Sequence, residues 1–434
     1  MMKYYREPAR DIPIIQEVDV LVVGGGPAGF SASINAARLG AKTMLIELAG
    51  QVGGVATTGL MSHWTGATRG GFYEEILERS QDGGSEHRQI INPEKLKLVL
   101  LEMLAEENVL LRLYTMAVGV IMDGDRIIGV ITESKSGREA IMAKVVVDSS
   151  GDGDIATKAG VPFHKGRESD GKMQPMTVMF KVAGVDTDRA VFPGGFESTY
   201  QVPAGDLQTL GHKHLPPPAG HVLLYRTTLP GVVTCNMTNC TEVDGTKTED
   251  LTKAEYVCRK QIPVIVDFLR SYVPGFEGCY LISSASMIGV RETRHFVGEY
   301  VLTEQDILEA RLFDDWVVTN AHFNFDVHNL TGPGLDETGL QKGFPQERGY
   351  TIPYRCLVPK KIDGLILSGR NISGTHMAHS NFRVMPICAN IGQAAGVAAA
   401  LSVKHSVEPR ELDAKLIQDV LRKQEARLEK THRY

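Results

Sequence analysis

The sequence predicts an α/β fold, and three observations carry that prediction. An apolar run at 18–23 leads into a glycine-rich turn, which is followed by helical residues from Pro27. The helix is expected to stop at Gly40, and a second apolar run follows at 41–47. Apolar runs that end at Asp148 and near 367 have the same character, and each is followed by glycine. Buried strands that alternate with helices are typical of a parallel, Rossmann-like sheet.

The turn after the first strand has the spacing of a dinucleotide-binding loop. Gly24, Gly26 and Gly29 stand in G-x-G-x-x-G order, and Pro27 suits the first turn of a helix. Glu47 follows about twenty residues later, where a carboxylate accepts hydrogen bonds from ribose hydroxyls and repels a 2′-phosphate. We therefore expect a dinucleotide with an unphosphorylated ribose, and the motif alone leaves nicotinamide and flavin dinucleotides open.

Composition limits the classes of partner. The chain has 434 residues and a formal net charge of −6, which gives no electrostatic reason to expect nucleic acid. We find no uninterrupted apolar segment of membrane-spanning length and no apolar leader, so we expect no membrane span and a cytoplasmic location. The six cysteines are scattered without a C-x-x-C, which signals neither a disulfide framework nor an iron–sulfur cluster.

The order of patterns along the chain predicts a discontinuous domain. Residues 1–160 supply the first part of the dinucleotide-binding domain, and residues 355–434 return to it. Between them, residues 161–354 show short alternating strands and one clear helix, which is typical of an inserted α+β domain that holds substrate.

A second glycine cluster raises the question of whether the chain binds a second dinucleotide. Gly151, Gly153 and Ala156 imitate another fingerprint, but Asp152 and Asp154 would direct negative charge at a pyrophosphate. No ribose-binding acid follows at the expected distance. Asp152 is better placed to hydrogen-bond a hydroxyl group of a cofactor that the first motif already holds.

Several motifs together carry a family resemblance: GGGPAG, GGVATTG, DSSGDGD, GVRETRH and the long stretch LILSGRNISGTHMAHSNFRVMPICANIGQAAG. In combination they resemble FAD-dependent oxidoreductases of the glutathione-reductase-like flavoprotein superfamily. More narrowly, they resemble the bacterial group related to the flavin domain of heterodisulfide reductase. The resemblance covers nearly the whole chain and implies a Rossmann-like FAD-binding domain.

The resemblance also implies which residues bind FAD. The pyrophosphate would lie on the first glycine turn and the adenosine ribose on Glu47, while other positions would follow the ribityl chain and the adenine. The implied positions are Gly24, Gly26, Pro27, Ala28, Gly29, Glu47, Leu48, Gly53, Gly54, Val55, Val118, Asp152, Gly369, Arg370 and Asn371. A helix that starts after Asn390 would direct N–H groups at the flavin pyrimidine edge, with Gly392 and Gln393 in its first turn.

Polar residues near the C-terminal motifs are candidates for catalysis. His376, His379 and Arg383 lie in a segment that we expect to form a loop at the reactive face of the flavin. One of the two imidazoles would transfer a proton there. Arg383 would bind a substrate carboxylate. The alternatives are simple hydrogen bonding within the loop, or a metal ion on H-x-x-H, for which we see no third ligand nearby. Arg291 and Arg294 either serve the same chemistry or brace a domain interface around Glu292.

Two further groups of side chains are candidates for contacts in the site. His63 and Trp64 follow the first βαβ unit, where an aromatic ring could cover the flavin. His322, Asp326 and His328 could hold a metal, although solvated or core histidines are commoner, and we expect no metal.

These features predict an enzyme that transfers hydride between flavin N5 and a small polar metabolite, such as a hydroxylated acid or a sugar-derived compound. The alternative is an electron-transfer flavoprotein within a heterodisulfide-reductase-like complex, which would have a protein partner. A third class is a flavin-dependent tRNA-modifying protein, which the negative net charge of the chain disfavours. The sequence does not determine the oligomeric state.

Overall fold

The computed structural model describes residues 3–82, 88–193, 198–336 and 348–425. The strands are β1 (Ile14–Val23), β2 (Thr43–Ile46), β3 (Leu110–Arg112), β4 (Met116–Asp123), β5 (Arg126–Ser134), β6 (Gly137–Asp148), β7 (Phe163–Lys165), β8 (Phe180–Ala183), β9 (Gln201–Val202), β10 (Gly205–Asp206), β11 (Leu224–Arg226), β12 (Val233–Cys235), β13 (Tyr280–Ser284), β14 (Arg294–Phe296), β15 (Trp316–Ala321), β16 (Tyr350–Pro353) and β17 (Leu365–Leu367). The α-helices are α1 (Pro27–Arg38), α2 (Phe72–Ser80), α3 (Pro93–Glu106), α4 (Asp154–Lys158), α5 (Leu207–His214), α6 (Thr248–Tyr272), α7 (Glu304–Leu308), α8 (His376–Phe382), α9 (Met385–His405) and α10 (Ala414–Lys423).

The main sheet has the predicted parallel centre. Its strand order is β3-β2-β1-β6-β5-β4, and β17 pairs with the last residues of β6 in parallel register, with Leu367 opposite Asp148. β5 pairs antiparallel with both β6 and β4, and β4 forms one edge of the sheet. Because β17 comes from the far end of the chain, the Rossmann-like domain is built from two separated segments, as the sequence predicts.

The central helices α1 and α9 pack closely against each other. A Cβ atom at Gly392 would overlap the carbonyl oxygen of Ala28, and one at Gly396 would overlap that of Ala32. Only glycine therefore allows the two helices this approach. In the described part of the chain, α9 alone is long and apolar enough to cross a membrane, and 94% of its most apolar window is buried inside the fold.

A second core lies outside the main sheet. The antiparallel sheet β11-β12-β8-β13 packs with α5 and α6 around apolar residues between Met176 and Ala285, joined by Leu60. Residues from Phe296 to Val358 pack instead with the first core. The predicted inserted domain, 161–354, thus contains residues of both cores, and we propose that the separate unit is the narrower stretch around the second core.

Two local predictions near the C-terminal end were wrong. The expected loop at 376–383 is the helix α8, which Thr375 caps by accepting a hydrogen bond from the backbone N–H of Ala378. The next helix starts at Met385 rather than after Asn390. Pro386 in its first turn explains that start, since proline lacks the N–H that a helix leaves unpaired there.

Candidate functional site

A cavity of about 1180 Å³ lies between the two cores. One wall is the edge of the main sheet at which β1, β6 and β17 end, represented by Gly26, Ser150 and Gly369. The opposite wall comes from the second core and includes Met179 and Leu224. Ligands of doubly wound folds bind in the crevice beyond the carboxyl ends of the strands, so the position of the cavity matches the predicted cofactor site.

The first glycine turn has the geometry of a pyrophosphate cradle. Gly24 has φ +93°, and a Cβ there would lie 2.6 Å from the carbonyl oxygen of Ser149. A Cβ at Gly29 would overlap the carbonyl oxygen of Gly24, so α1 packs tightly on the turn. Gly26 instead faces open space, with no atom within 4 Å of a Cβ, and it lines the cavity with Pro27 and Ala28. A diphosphate fits against this open glycine at the N-terminus of α1.

Glu47, the residue predicted to contact the adenosine ribose, lines the cavity. Its Oε2 accepts a hydrogen bond of 2.6 Å from the Gly25 N–H, and its Oε1 accepts one of 2.7 Å from the Ala49 N–H. Burial raises the pKa of this carboxyl, while the backbone N–H groups oppose that rise. Each oxygen has a further lone pair for a ribose hydroxyl. Leu48 lines the same region and is half exposed.

The other glycine motifs converge on the middle of the cavity. Asp152 accepts hydrogen bonds from Arg370 Nη2, at 2.8 Å, and Thr293 Oγ1, at 2.6 Å. Asp152, Gly369 and Arg370 all line the cavity. The GGVATTG loop contributes the predicted residues Gly54 and Val55 to the cavity lining.

Seven of the predicted cofactor residues lie outside the cavity lining: Gly29, Gly53, Val118, Asn371, Asn390, Gly392 and Gln393. Gly53 donates its N–H to the carbonyl oxygen of Gly25, at 2.7 Å. Asn371 donates to the Asp148 carbonyl oxygen and accepts from the Ser368 N–H, so its side chain holds the turn after β17 against the end of β6. Val118 lies within β4.

The positions predicted for Asn390, Gly392 and Gln393 need correction. The side-chain oxygens of Asn390 and Gln393 accept hydrogen bonds from the backbone N–H groups of Tyr73 and Phe72, at the start of α2. They lie inside α9 because that helix starts at Met385. The residues that α9 and its N-cap present to the cavity are Val384, Met385 and Cys388.

A charged group of residues lies at the end of the cavity that the second core closes. Arg383 Nη2 lies 2.8 Å from Asp326 Oδ2, and His328 Nε2 lies 3.5 Å from the same oxygen. Arg291 Nη1 donates to the Pro175 carbonyl oxygen, at 2.6 Å, and to a threonine hydroxyl. We define Arg291, Asp326, His328 and Arg383 as the arginine end of the cavity.

Burial and mutual charge set the ionisation of the arginine end. Burial, followed by the charge of Arg383, lowers the pKa of Arg291 to about 10. Burial, followed by the charge of Arg291, lowers the pKa of His328 to about 4. Burial opposes ionisation of Asp326, but His328 and the arginines outweigh it and hold this carboxyl pKa below its ordinary value. Near neutral pH the group therefore contains two cations, one anion and a neutral imidazole.

The two histidines predicted at the reactive face do not line the cavity. His376 and His379 are buried in α8, and His376 Nδ1 lies 2.5 Å from Glu292 Oε1. The ring of His379 meets that of His295 edge-on, with the centroids 4.7 Å apart. Helix formation explains their position, because α8 turns these residues away from the cavity towards Glu292.

The remaining candidates divide between bracing and lining positions. Arg294 donates to the Asp152 carbonyl oxygen and pairs with Asp154, so it has a bracing position, but its partner is not the predicted Glu292. Trp64 is fully buried and stacks on Tyr73, whereas His63 lines the cavity and stacks on Tyr225, with centroids 5.1 Å apart. Sequence reasoning missed Tyr225 because a single strand residue carries no motif.

Comparison with known proteins agrees with this geometry. Residues 19–421 match the family described as FAD dependent oxidoreductase. A digeranylgeranylglycerophospholipid reductase of Picrophilus torridus is 31% identical over 154 residues, which are 31% of this chain and 39% of that protein. The tRNA uridine 5-carboxymethylaminomethyl modification enzyme MnmG of Dichelobacter nodosus is 31% identical over 138 residues, which are 27% of this chain and 22% of that protein. The matches thus span less than half of either relative.

Among solved structures, a geranylgeranyl bacteriochlorophyll reductase-like protein from Thermoplasma acidophilum aligns with 96% of this chain and 85% of its own, at 16% identity and a TM-score of 0.48. The family match extends over nearly the whole chain and includes the glycine turn, Glu47 and the arginine end. The chain is an enzyme that belongs to the FAD dependent oxidoreductase family, and its cofactor is FAD.

Proposed function

We propose that this enzyme transfers hydride between flavin N5 and a small hydroxylated acid, with the substrate carboxylate bound at the arginine end of the cavity. The observation that carries the proposal is the charge there, since two guanidinium groups face one carboxylate and a neutral imidazole. When bound, FAD supplies hydride chemistry at N5. The protein must bind, orient and deprotonate the substrate.

Cofactor placement follows from the lining of the cavity. We propose that Gly24, Gly26, Pro27 and Ala28 hold the diphosphate, with Gly29 supporting the turn, and that Glu47 and Leu48 contact the adenosine. Asp152 and Arg370, together with Gly54, Val55 and Gly369, follow the ribityl path, and the N-terminus of α9 at Met385 faces the ring. In this proposal six of the predicted residues support the site without contacting FAD: Gly53, Val118, Asn371, Asn390, Gly392 and Gln393.

The two arginines have different parts. Arg383 is already paired with Asp326, so its planar group is held in place and partly neutralised. Arg291 uses one nitrogen for a backbone carbonyl and a hydroxyl, and the carboxylate that attracts it, Asp326, is already paired with Arg383. A buried guanidinium without a carboxylate partner of its own favours a bound anion, because desolvation strengthens the attraction. A bidentate substrate carboxylate meets that requirement.

Proton transfer is assigned to the imidazole of His328. It lines the cavity beside Asp326, and its lowered pKa keeps it neutral and able to accept a proton from a substrate hydroxyl near neutral pH. Asp326 orients the ring and stabilises its protonated form, as a carboxylate does beside a catalytic histidine. This assignment replaces His376 and His379, since neither of them lines the cavity.

The test is anaerobic stopped-flow reduction of the bound flavin by hydroxylated acids, each paired with its methyl ester. Reduction by an acid and not by its ester is expected, because the ester carries no charge for Arg291. The Arg291→Lys variant keeps a cation but loses the planar fork, so its KM for the acid should rise while FAD remains bound. Equal rates for acid and ester, or an unchanged KM in Arg291→Lys, would contradict the proposal.

The electron-transfer alternative has less support. The narrower resemblance to the flavin domain of heterodisulfide reductase suggests a partner that exchanges electrons. All six cysteines are buried and free, so redox centres in such a complex would have to belong to the partner. The enclosed arginine end favours direct chemistry on a small molecule instead. A cytoplasmic location stays a prediction.

A further inference from the structure

Four buried side chains form a compact polar cluster next to the arginine end. Glu292, His295, His376 and His379 are each less than 5% exposed. We call them the histidine cluster. His295 lies in β14 and Glu292 two residues before it, whereas the other two residues come from α8. None of the four lines the cavity described above, and the proposed chemistry uses none of them.

The geometry of three members suits a metal ion. One ligand atom each of Glu292, His295 and His379 can be chosen so that all three lie within 4.8 Å of one another. A tetrahedral zinc ion with bonds of about 2.1 Å separates its ligand atoms by about 3.4 Å. His295 Nε2 already lies 2.8 Å from Glu292 Oε1, so an ion held by all three residues replaces this hydrogen bond with two metal–ligand bonds.

The hydrogen bonding of the cluster is incomplete without a ligand. His295 Nδ1, His376 Nε2 and His379 Nδ1 are buried and have no hydrogen-bond partner among the described residues. Burial of an unpaired polar nitrogen costs about 1–3 kcal/mol, and a metal ion bound by His379 Nδ1 supplies that nitrogen with a partner. Neutral imidazole offers a lone pair, and burial also favours the neutral form of His379 by holding its pKa well below the ordinary value.

The fourth member orients the carboxylate. His376 Nδ1 lies 2.5 Å from Glu292 Oε1, and Glu292 Oε2 accepts a hydrogen bond of 3.0 Å from the backbone N–H of Gln174. Groups of this kind hold metal ligands in place and are typical of the layer around a metal site.

We propose that Glu292, His295 and His379 bind a divalent transition-metal ion of the zinc class, with His376 positioning the carboxylate. Two imidazoles and one carboxylate are a ligand set that Zn²⁺ and Fe²⁺ accept, whereas Mg²⁺ and Ca²⁺ prefer oxygen ligands alone. The ion ties β14 to α8. Since Arg291 and Arg383 adjoin these segments, the ion also fixes the spacing of the two guanidinium groups in the cavity.

The H-x-x-H pattern at 376–379 was not enough to predict this metal site from the sequence. The missing ligands come from the RETRH segment, and Glu292 lies 84 residues before His376. Only the packing of α8 on β14 brings the two motifs together.

The experiment measures metal in the purified FAD-loaded protein. Mass spectrometry should find one zinc or iron ion per chain after expression in metal-supplemented medium. After removal with a chelator, titration with Zn²⁺ should restore one equivalent, and Co²⁺ should give ligand-field absorption at wavelengths beyond the flavin band. Glu292→Gln and His379→Ala should lose this uptake, and His376→Ala should weaken it about 10- to 100-fold.

A matched control is His164→Ala. His164 lies opposite His295 in the β7–β14 pair but is exposed, so its removal should leave metal uptake unchanged. A wild-type protein that binds neither Zn²⁺ nor Co²⁺ stoichiometrically overturns the proposal, as does full uptake in both Glu292→Gln and His379→Ala. If those variants do not fold, X-ray absorption of the zinc-loaded wild type decides. A nitrogen and oxygen shell with scattering from two imidazoles supports the site, and sulfur in the shell refutes it.

Discussion

Replacement of Glu47 by glutamine should weaken FAD binding through a specific loss at the ribose. Each Glu47 oxygen accepts one backbone N–H and has one lone pair for a ribose hydroxyl. Glutamine keeps one oxygen and replaces the other by an amide NH₂, so at least one charge-assisted bond to the ribose is lost. Such a bond contributes about 1.5–3 kcal/mol, which predicts a rise in Kd for FAD of about 10- to 150-fold.

The same change should also destabilise the apoprotein. The new NH₂ group must face the N–H of Gly25 or Ala49, and a buried donor without an acceptor costs about 1–3 kcal/mol. Fluorescence titration of apoprotein with FAD gives the Kd, and urea unfolding of the same sample gives the stability. The control is Glu102→Gln, an exposed position on α3, which should change neither quantity. An unchanged Kd in a folded Glu47→Gln protein would refute the assignment of the ribose to this carboxylate.

Three further predictions follow from packing, hydrogen bonding and ionisation. Gly392→Ala should weaken FAD binding, because the added methyl group displaces Ala28 beside the diphosphate cradle. Gly396→Ala, one turn further on, should lower stability by about 1–3 kcal/mol with a smaller effect on FAD, as urea unfolding and FAD titration will show. Asp148→Asn should lower stability by about 1–3 kcal/mol, because each carboxylate oxygen accepts two hydrogen bonds and the amide NH₂ that replaces one oxygen cannot accept its two. The folded-state pKa of His328 lies near 4 and its ordinary value is 6.5, so its contribution to stability should be lost as pH falls through that interval, by about 3 kcal/mol in total. His328→Gln should flatten this part of the pH profile, and a profile of unchanged slope would show that other groups cause it.

The cofactor half of the site is largely readable from sequence because its signals are local. Gly24 and Gly29 satisfy steric requirements within one strand-turn-helix unit, Gly26 leaves open space there, and Glu47 directly follows the next strand, β2. The spacing along the chain therefore determines the spacing in space. The α/β class and the discontinuous domain were predictable for the same reason, since each strand and glycine turn carries its own pattern.

The substrate half depends on contacts between distant segments. Arg291, His328 and Arg383 meet only because the segment before β14, the segment after β15 and the residue that follows α8 come together at one cavity. The start of α9 illustrates the same limit. Asn390 resembles a helix cap in the sequence, yet its side chain caps α2 instead, because α2 packs against α9. The sequence by itself determined the fold class, the FAD cradle and the types of polar residue available. Tertiary packing alone decided that the histidines of α8 face Glu292 rather than the cavity, because a helix fixes the direction of its side chains only once its neighbours are in place.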